Sequence, residues 1–149
     1  MAPRWQARLV IPAAALWWGS LTTICFIVVP LLFAHLPSPA MAGHMAARLF
    51  SAQTWVTLAC GMLLIMSSRS QLSAGGQGVS GALPYVLGGM VLALLVEFAV
   101  APRIVARDNL KLWHGVGSGM YVLQWLCAGV VLWKMSARPL AMDPGSSPG

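Results

Sequence analysis

Residues Leu9–Phe33 read LVIPAAALWWGSLTTICFIVVPLLF, 25 residues without a charged side chain. An α-helix rises about 1.5 Å per residue, so about 20 residues cross the ~30 Å hydrocarbon core of a bilayer. Three further runs of this kind follow, Leu49–Met66, Leu83–Pro102 and Leu112–Trp133, of 18, 20 and 22 residues. Across all four, the one formally charged side chain is Glu97. In the bilayer core every backbone N–H and C=O must pair internally, which leaves helices or a closed barrel. The runs lack the period-2 alternation of barrel strands and are twice too long for them. The chain therefore reads as an all-α, integral membrane four-helix bundle with transmembrane helices over residues 9–33, 46–66, 83–102 and 112–133.

Composition excludes the soluble alternatives. Hydrophobic residues make up 58% of the chain and charged residues 8%, against about 25% charged in soluble domains. One bundle occupies the whole length, so residues 1–149 form a single membrane domain, with a Pro/Gly/Ser-rich tail over 134–149 expected to be disordered. The net charge of +6 comes from nine Lys and Arg placed in ones and twos beside helix ends. There they meet lipid headgroups, and no basic stripe for nucleic acid exists. Cys25, Cys60 and Cys127 all fall inside apolar runs, at depths that do not match, and read as small apolar side chains rather than a thiolate metal site.

The breakers mark the turns. A basic lead with Arg4 and Arg8 resembles a signal peptide, but 25 apolar residues far exceed an h-region of about 7–15, so the first helix reads as retained. Pro12 sits in its first turn, and Pro30 should kink it or release it into a loop. Ser38 before Pro39 reads as an N-cap followed by proline at the first helical position, so the second helix can start near Pro39, ahead of the membrane. Ser67–Ala82 is a flexible Gly/Ser/Gln connection, and the third helix is expected to end at Pro102. Arg4 and Arg8 before the first helix, against a bare Ala34–Ala47 after it, place both termini in the cytoplasm.

Glu97 is the outlier. It lies five residues before Pro102, hence about 7–8 Å inside the boundary. An ionisable group at such depth is a functional candidate; the other reading, and the preferred one, is a structural carboxyl bonded between helices. Arg48 or His114 is its expected partner, with Gln53 as a hydrogen-bonding alternative, so Glu97, Arg48, His114 and Gln53 form the expected intramembrane polar cluster. His35, His44 and His114 all end on one face beside Met41 and Met45, a composition that suits Cu(I) without forming a ligand template. No metal is assigned. Gly115 and Gly119 have the GxxxG spacing that lets backbones approach closely, and Ala15/Gly19 and Gly89/Ala93 are similar small pairs. Packing within the bundle is the preferred reading of Gly115, Gly119 and Gly19, so Gly115→Leu and Gly119→Leu should do more harm than Val131→Leu. Homo-oligomerisation through Gly115 and Gly119 is the alternative. Gly117, Tyr121, Gln124 and Ala128 continue a small-and-polar stripe beside them.

In order along the chain, Leu16-Trp17-Trp18-Gly19-Ser20, Val29-Pro30-Leu31-Leu32-Phe33 and Ala42-Gly43 lead to Arg48-Leu49-Phe50. Phe98-Ala99-Val100-Ala101-Pro102-Arg103 and His114-Gly115-Val116-Gly117-Ser118 with Tyr121 follow. Over residues 9–133 this set resembles the transmembrane-protein-205-like family, small four-span membrane proteins described as a domain of unknown function. The resemblance implies an integral membrane protein without established enzymatic activity. His35 and His44 are not positions of that pattern.

The reading that results is a non-enzymatic multi-pass protein of the cell membrane, partnered by the lipid bilayer, with no cofactor and no nucleic acid. The alternative is a copper- or haem-handling protein similar to copper-resistance membrane domains; haem would need axial histidines inside the bundle, and His114 has no partner at matching depth. A stand-alone transporter is disfavoured, because paired broken helices are not evident in four spans.

Overall fold

A computed structural model describes residues 4–72, 81–106 and 109–137. In chain order the elements are α1 (Arg4–Thr23), a π-turn (Ile24–Val28), α2 (Val29–His35), α3 (Pro39–Leu72), α4 (Leu83–Leu95), a second π-turn (Val96–Val100), α5 (Ala101–Val105) and α6 (Leu110–Ser136). They make four spans long and apolar enough to cross a membrane: Leu9–His35, Pro39–Ser68, Leu83–Val105 and Leu110–Ser136. No strand occurs among the described residues.

Ser38 starts the second span. Its Oγ accepts the Met41 N–H at 3.3 Å, and its carbonyl accepts the Ala42 N–H at 3.1 Å. The hydroxyl thus satisfies a donor that a helix start leaves open, and Pro39 occupies the position where a missing N–H does no harm. α3 then continues to Leu72, well into the segment expected to be a flexible connection. Residues 73–80 of that connection, Arg107 in the basic turn, and the tail beyond residue 137 lie outside the described residues.

Neither Pro30 nor Pro102 ends its helix. Each follows a five-residue π-turn, after which the helix resumes through Val29–His35 or Ala101–Val105. Proline has no N–H to donate, and its ring collides with the carbonyl four residues back, here that of Phe26 or Phe98. Widening the helix by one residue relieves that collision without unwinding the chain. The first and third spans are therefore continuous helices, each widened at a matching place ahead of its proline.

The first span packs on the second and fourth, and the third span also packs on the second and fourth, closing a ring of four. At one end the Arg103 guanidinium sits 4.3 Å above the Trp113 ring, joining the end of the third span to the start of the fourth. At the other end Lys134 Nζ lies 5.7 Å from the Tyr85 ring centre, bringing the end of the fourth span beside the start of the third. Trp17, Leu21, Leu64, Val86 and Val131 are fully buried in the centre. Phe98, Trp55 and Trp133 point outward as a lipid-facing surface must, Trp133 being 76% exposed.

The packing glycines differ from those expected. A side chain at Gly19, Gly115 or Gly119 would meet nothing within 4 Å. Gly115 and Gly119 lie on the outer face of α6, while Tyr121, Gln124, Ala128, Val131 and Met135 form its inner face. Tight contacts fall instead at Gly89, where Trp17 ring atoms stand 2.6 Å from the place a β-carbon would take, at Gly61 beside Met90, at Gly117 beside Val100, and at Gly129 beside Trp18. Gly115 and Gly119 thus have no close contact within the bundle, whereas Val131 is fully buried. GxxxG spacing marks a face that backbones can approach, and tertiary packing here turned that face outward.

Candidate functional site

The first polar half-turns of α3 are Arg48, Ser51, Gln53, Thr54 and Thr57. Residues three and four apart share a helix face, so Gln53 and Thr57 point together into the bundle while Arg48 does not. Gln53 is buried and its amide donates to Ser20 Oγ of the first span at 2.9 Å. Thr57 is buried as well, and its hydroxyl accepts the Gln124 amide of α6 at 3.0 Å. The Tyr121 hydroxyl donates to the Leu21 carbonyl at 3.1 Å, and the Trp125 indole donates to Thr22 Oγ1 at 2.8 Å. Thr22 in turn donates to the Trp18 carbonyl at 2.8 Å, and Ser20 to the Trp17 carbonyl at 3.0 Å. A seam of neutral hydrogen bonds thus ties the first, second and fourth spans together. In a bilayer, bonds of this kind contribute about 0.6 kcal/mol each, up to ~1.7.

Glu97 stands at the edge of this seam, on the second π-turn. Its partner is Ser51, whose Oγ lies 2.8 Å from Oε1 and 3.0 Å from Oε2, so one hydroxyl proton is shared by both carboxyl oxygens. Both residues are half-buried. The expected partners are elsewhere. Arg48 and His114 are exposed, and among the described residues no ion pair joins either to Glu97. Gln53 is turned to Ser20 instead. Arg48 is three residues from Ser51, on the same side of α3, but its side chain is exposed and makes no bond to Glu97.

The histidines do not converge. His35 Nδ1 lies 3.1 Å from the Leu31 carbonyl oxygen of its own helix, His44 and His114 are exposed, and no group of three His, Cys, Asp or Glu that could hold a metal ion occurs among the described residues. Two surface hollows of about 580 and 560 Å³ lie along α6, one beside Trp18 and Trp125 and one beside Asn109 and Gly115. Neither is lined by Glu97 or the buried glutamines. Trp17 Nε1 is buried without an acceptor, and the benzene edge of the same ring fills the space left by Gly89.

Sequence reasoning found Glu97 and Gln53 but missed Ser51 as the carboxyl's partner and Gln124 as the second buried amide. Both signals were present. Ser51 lies in the most polar stretch of any span, and Gln124 lies in the small-and-polar stripe of α6.

Fold and seam together define an all-helical, multi-pass membrane protein with a polar seam through an apolar interior and, among the described residues, one carboxyl within a span. The chain belongs to the family described as a domain of unknown function, DUF4149, whose model matches residues 13–111. That stretch holds Ser20, Ser51, Gln53 and Glu97 and ends where the fourth span begins. No curated protein and no solved structure matches the chain.

Proposed function

We propose that this protein is a non-enzymatic protein of the cell membrane, with both termini in the cytoplasm, whose working group is the Glu97 carboxyl. The resemblance to transmembrane-protein-205-like proteins accords with this reading. So does the seam, where Gln53, Gln124, Thr57 and Tyr121 are used in helix-to-helix bonds rather than aimed at a reacting centre.

The carrying observation is the disproportion at Glu97. A charged side chain costs about 2.5–3.5 kcal/mol at the centre of a span on the insertion scale, and an ionised group nearer the boundary costs less than that. The single Ser51 hydroxyl returns a fraction of that. A purely structural link would be cheaper as a neutral pair, which the same bundle builds from Gln124 and Thr57. A carboxylate also has acceptor sites for about four hydrogen bonds, and Ser51 fills one proton's worth. Glu97 is thus suited to receive a ligand that donates hydrogen bonds.

Purification in detergent of the wild type, Glu97→Gln and Glu97→Leu tests this. Elemental analysis, absorbance and mass of the particle identify what is retained. The wild type should retain a donor ligand that Glu97→Gln loses while staying folded. Equal unfolding of Glu97→Gln and Glu97→Leu would make the carboxyl a structural element.

We also propose that a second copy of the chain covers Gly115 and Gly119. Both present bare backbone on the outer face of α6, with nothing from their own bundle within 4 Å.

A further inference from the structure

The two π-turns are 72 residues apart at both ends, Ile24–Val28 and Val96–Val100. The same interval separates Pro12 from Pro84 and Phe26-Ile27-Val28-Val29-Pro30 from Phe98-Ala99-Val100-Ala101-Pro102. It also separates four buried positions in each of these spans. Val10, Ala14, Trp17 and Leu21 of the first span recur as Ala82, Val86, Gly89 and Ala93 of the third. In the second and fourth spans the interval is 71: Gln53, Thr57, Cys60 and Leu64 recur as Gln124, Ala128, Val131 and Met135, all buried. Phe50 and Tyr121 stand at that interval too, each three residues before its glutamine.

Heptad spacing alone would repeat in any straight helix. Here its phase is also tied to two prolines and a π-turn in each half. Residues at equivalent positions touch: the Trp17 ring covers Gly89, and the Phe50 and Tyr121 rings meet edge to face at 5.2 Å. Such self-contacts occur where a two-fold axis runs between halves. The ring order of packing, first on second, second on third, third on fourth and fourth on first, has the same symmetry.

We infer that the chain is a tandem repeat of one helix-hairpin unit, related by a two-fold axis along the bundle, and that the Glu97–Ser51 pair is an addition to one half for ligand recognition. This second part rests on the function proposed above. The symmetry maps Glu97 onto Cys25 and Ser51 onto Val122. The Trp125 to Thr22 bond shows that the fourth and first spans share the register this mapping needs. A bond required to hold adjacent hairpins together would recur at both equivalent interfaces; here one has a carboxyl and a hydroxyl, the other a thiol and a valine. Paired proline-interrupted helices in corresponding positions of two halves also point to a binding site at the interruptions, and Glu97 lies on one of them.

Two experiments on the full chain test this. With Cys60 and Cys127 changed to Ala, Val122→Cys should form an intramolecular disulfide with native Cys25 under mild oxidation, while Leu126→Cys should not. Absence of the Val122→Cys cross-link overturns the repeat. Ser51→Val with Glu97→Cys gives one half the side chains of the other. It should stay folded in detergent with a shift in Tm under about 4 °C, and Cys25→Glu with Val122→Ser should also yield folded protein. Loss of folded protein in the Ser51→Val/Glu97→Cys variant overturns the recognition role. A Glu97→Gln variant that retains every wild-type ligand removes the proposed function alone and leaves the cross-link result standing.

Discussion

Trp17 and Gly89 interlock at the middle of the bundle: the fully buried indole lies where a side chain at position 89 would stand, with Cζ2 and Cη2 both 2.6 Å from that point. The first and third spans depend on this single absence of a side chain for their approach across the centre.

Gly89→Ala should therefore destabilise the protein by about 1–3 kcal/mol, the usual result of overfilling a packed core. Gly19→Ala, where nothing lies within 4 Å, should be neutral or stabilising by up to about 1 kcal/mol. Thermal unfolding of both variants in the same detergent checks the contrast, and equal stabilities would refute the interlock.

Gln124 and Thr57 should be energetically coupled. A double-mutant cycle with Gln124→Leu and Thr57→Val is expected to give about 0.6 kcal/mol, up to ~1.7, the range for hydrogen bonds between membrane helices. Gln124→Leu paired with Ser118→Ala, on the exposed face of α6, should show no coupling.

Val131→Leu should lower the thermal stability of the bundle, because Val131 is fully buried. Gly115→Leu and Gly119→Leu should leave that stability intact and shift the particle mass from dimer toward monomer. A wild-type protein that is monomeric across mild detergents would end the proposal for Gly115 and Gly119.

Cysteines introduced at Gly81 and Ala137 should label from the same side of the membrane, since Lys134 bridges from the end of the fourth span toward Tyr85 and Gly81. In intact cells an impermeant reagent should reach neither under the proposed orientation, with both termini in the cytoplasm. Labelling of both from outside would invert the orientation, and labelling of one would break the four-span topology.

Much of the architecture was legible because insertion is a composition problem. The ten Leu, Val and Phe side chains of Leu83–Pro102 outweigh its one carboxyl, whatever their arrangement. The Ser38 cap was legible for a similar reason: it is a local bond between residues three apart. The third span runs on to Val105, where Pro102 was expected to end it, and at Pro30 the helix widens and continues to His35. A proline forbids one hydrogen bond but leaves the chain a choice between stopping and widening, and neighbouring helices decide between them.

Four membrane spans, and an ionisable side chain at Glu97 inside one of them, follow from the sequence alone. Those properties depend on residue type and on spacing within one helix. Only the tertiary structure decided that Glu97 meets Ser51 rather than Arg48 or His114, and that Gly89 rather than Gly115 is the close contact. Each of those outcomes depends on the rotation of one helix about its axis relative to another. A shift of one residue turns a helix by about 100°, enough to carry a side chain from the core to the lipid.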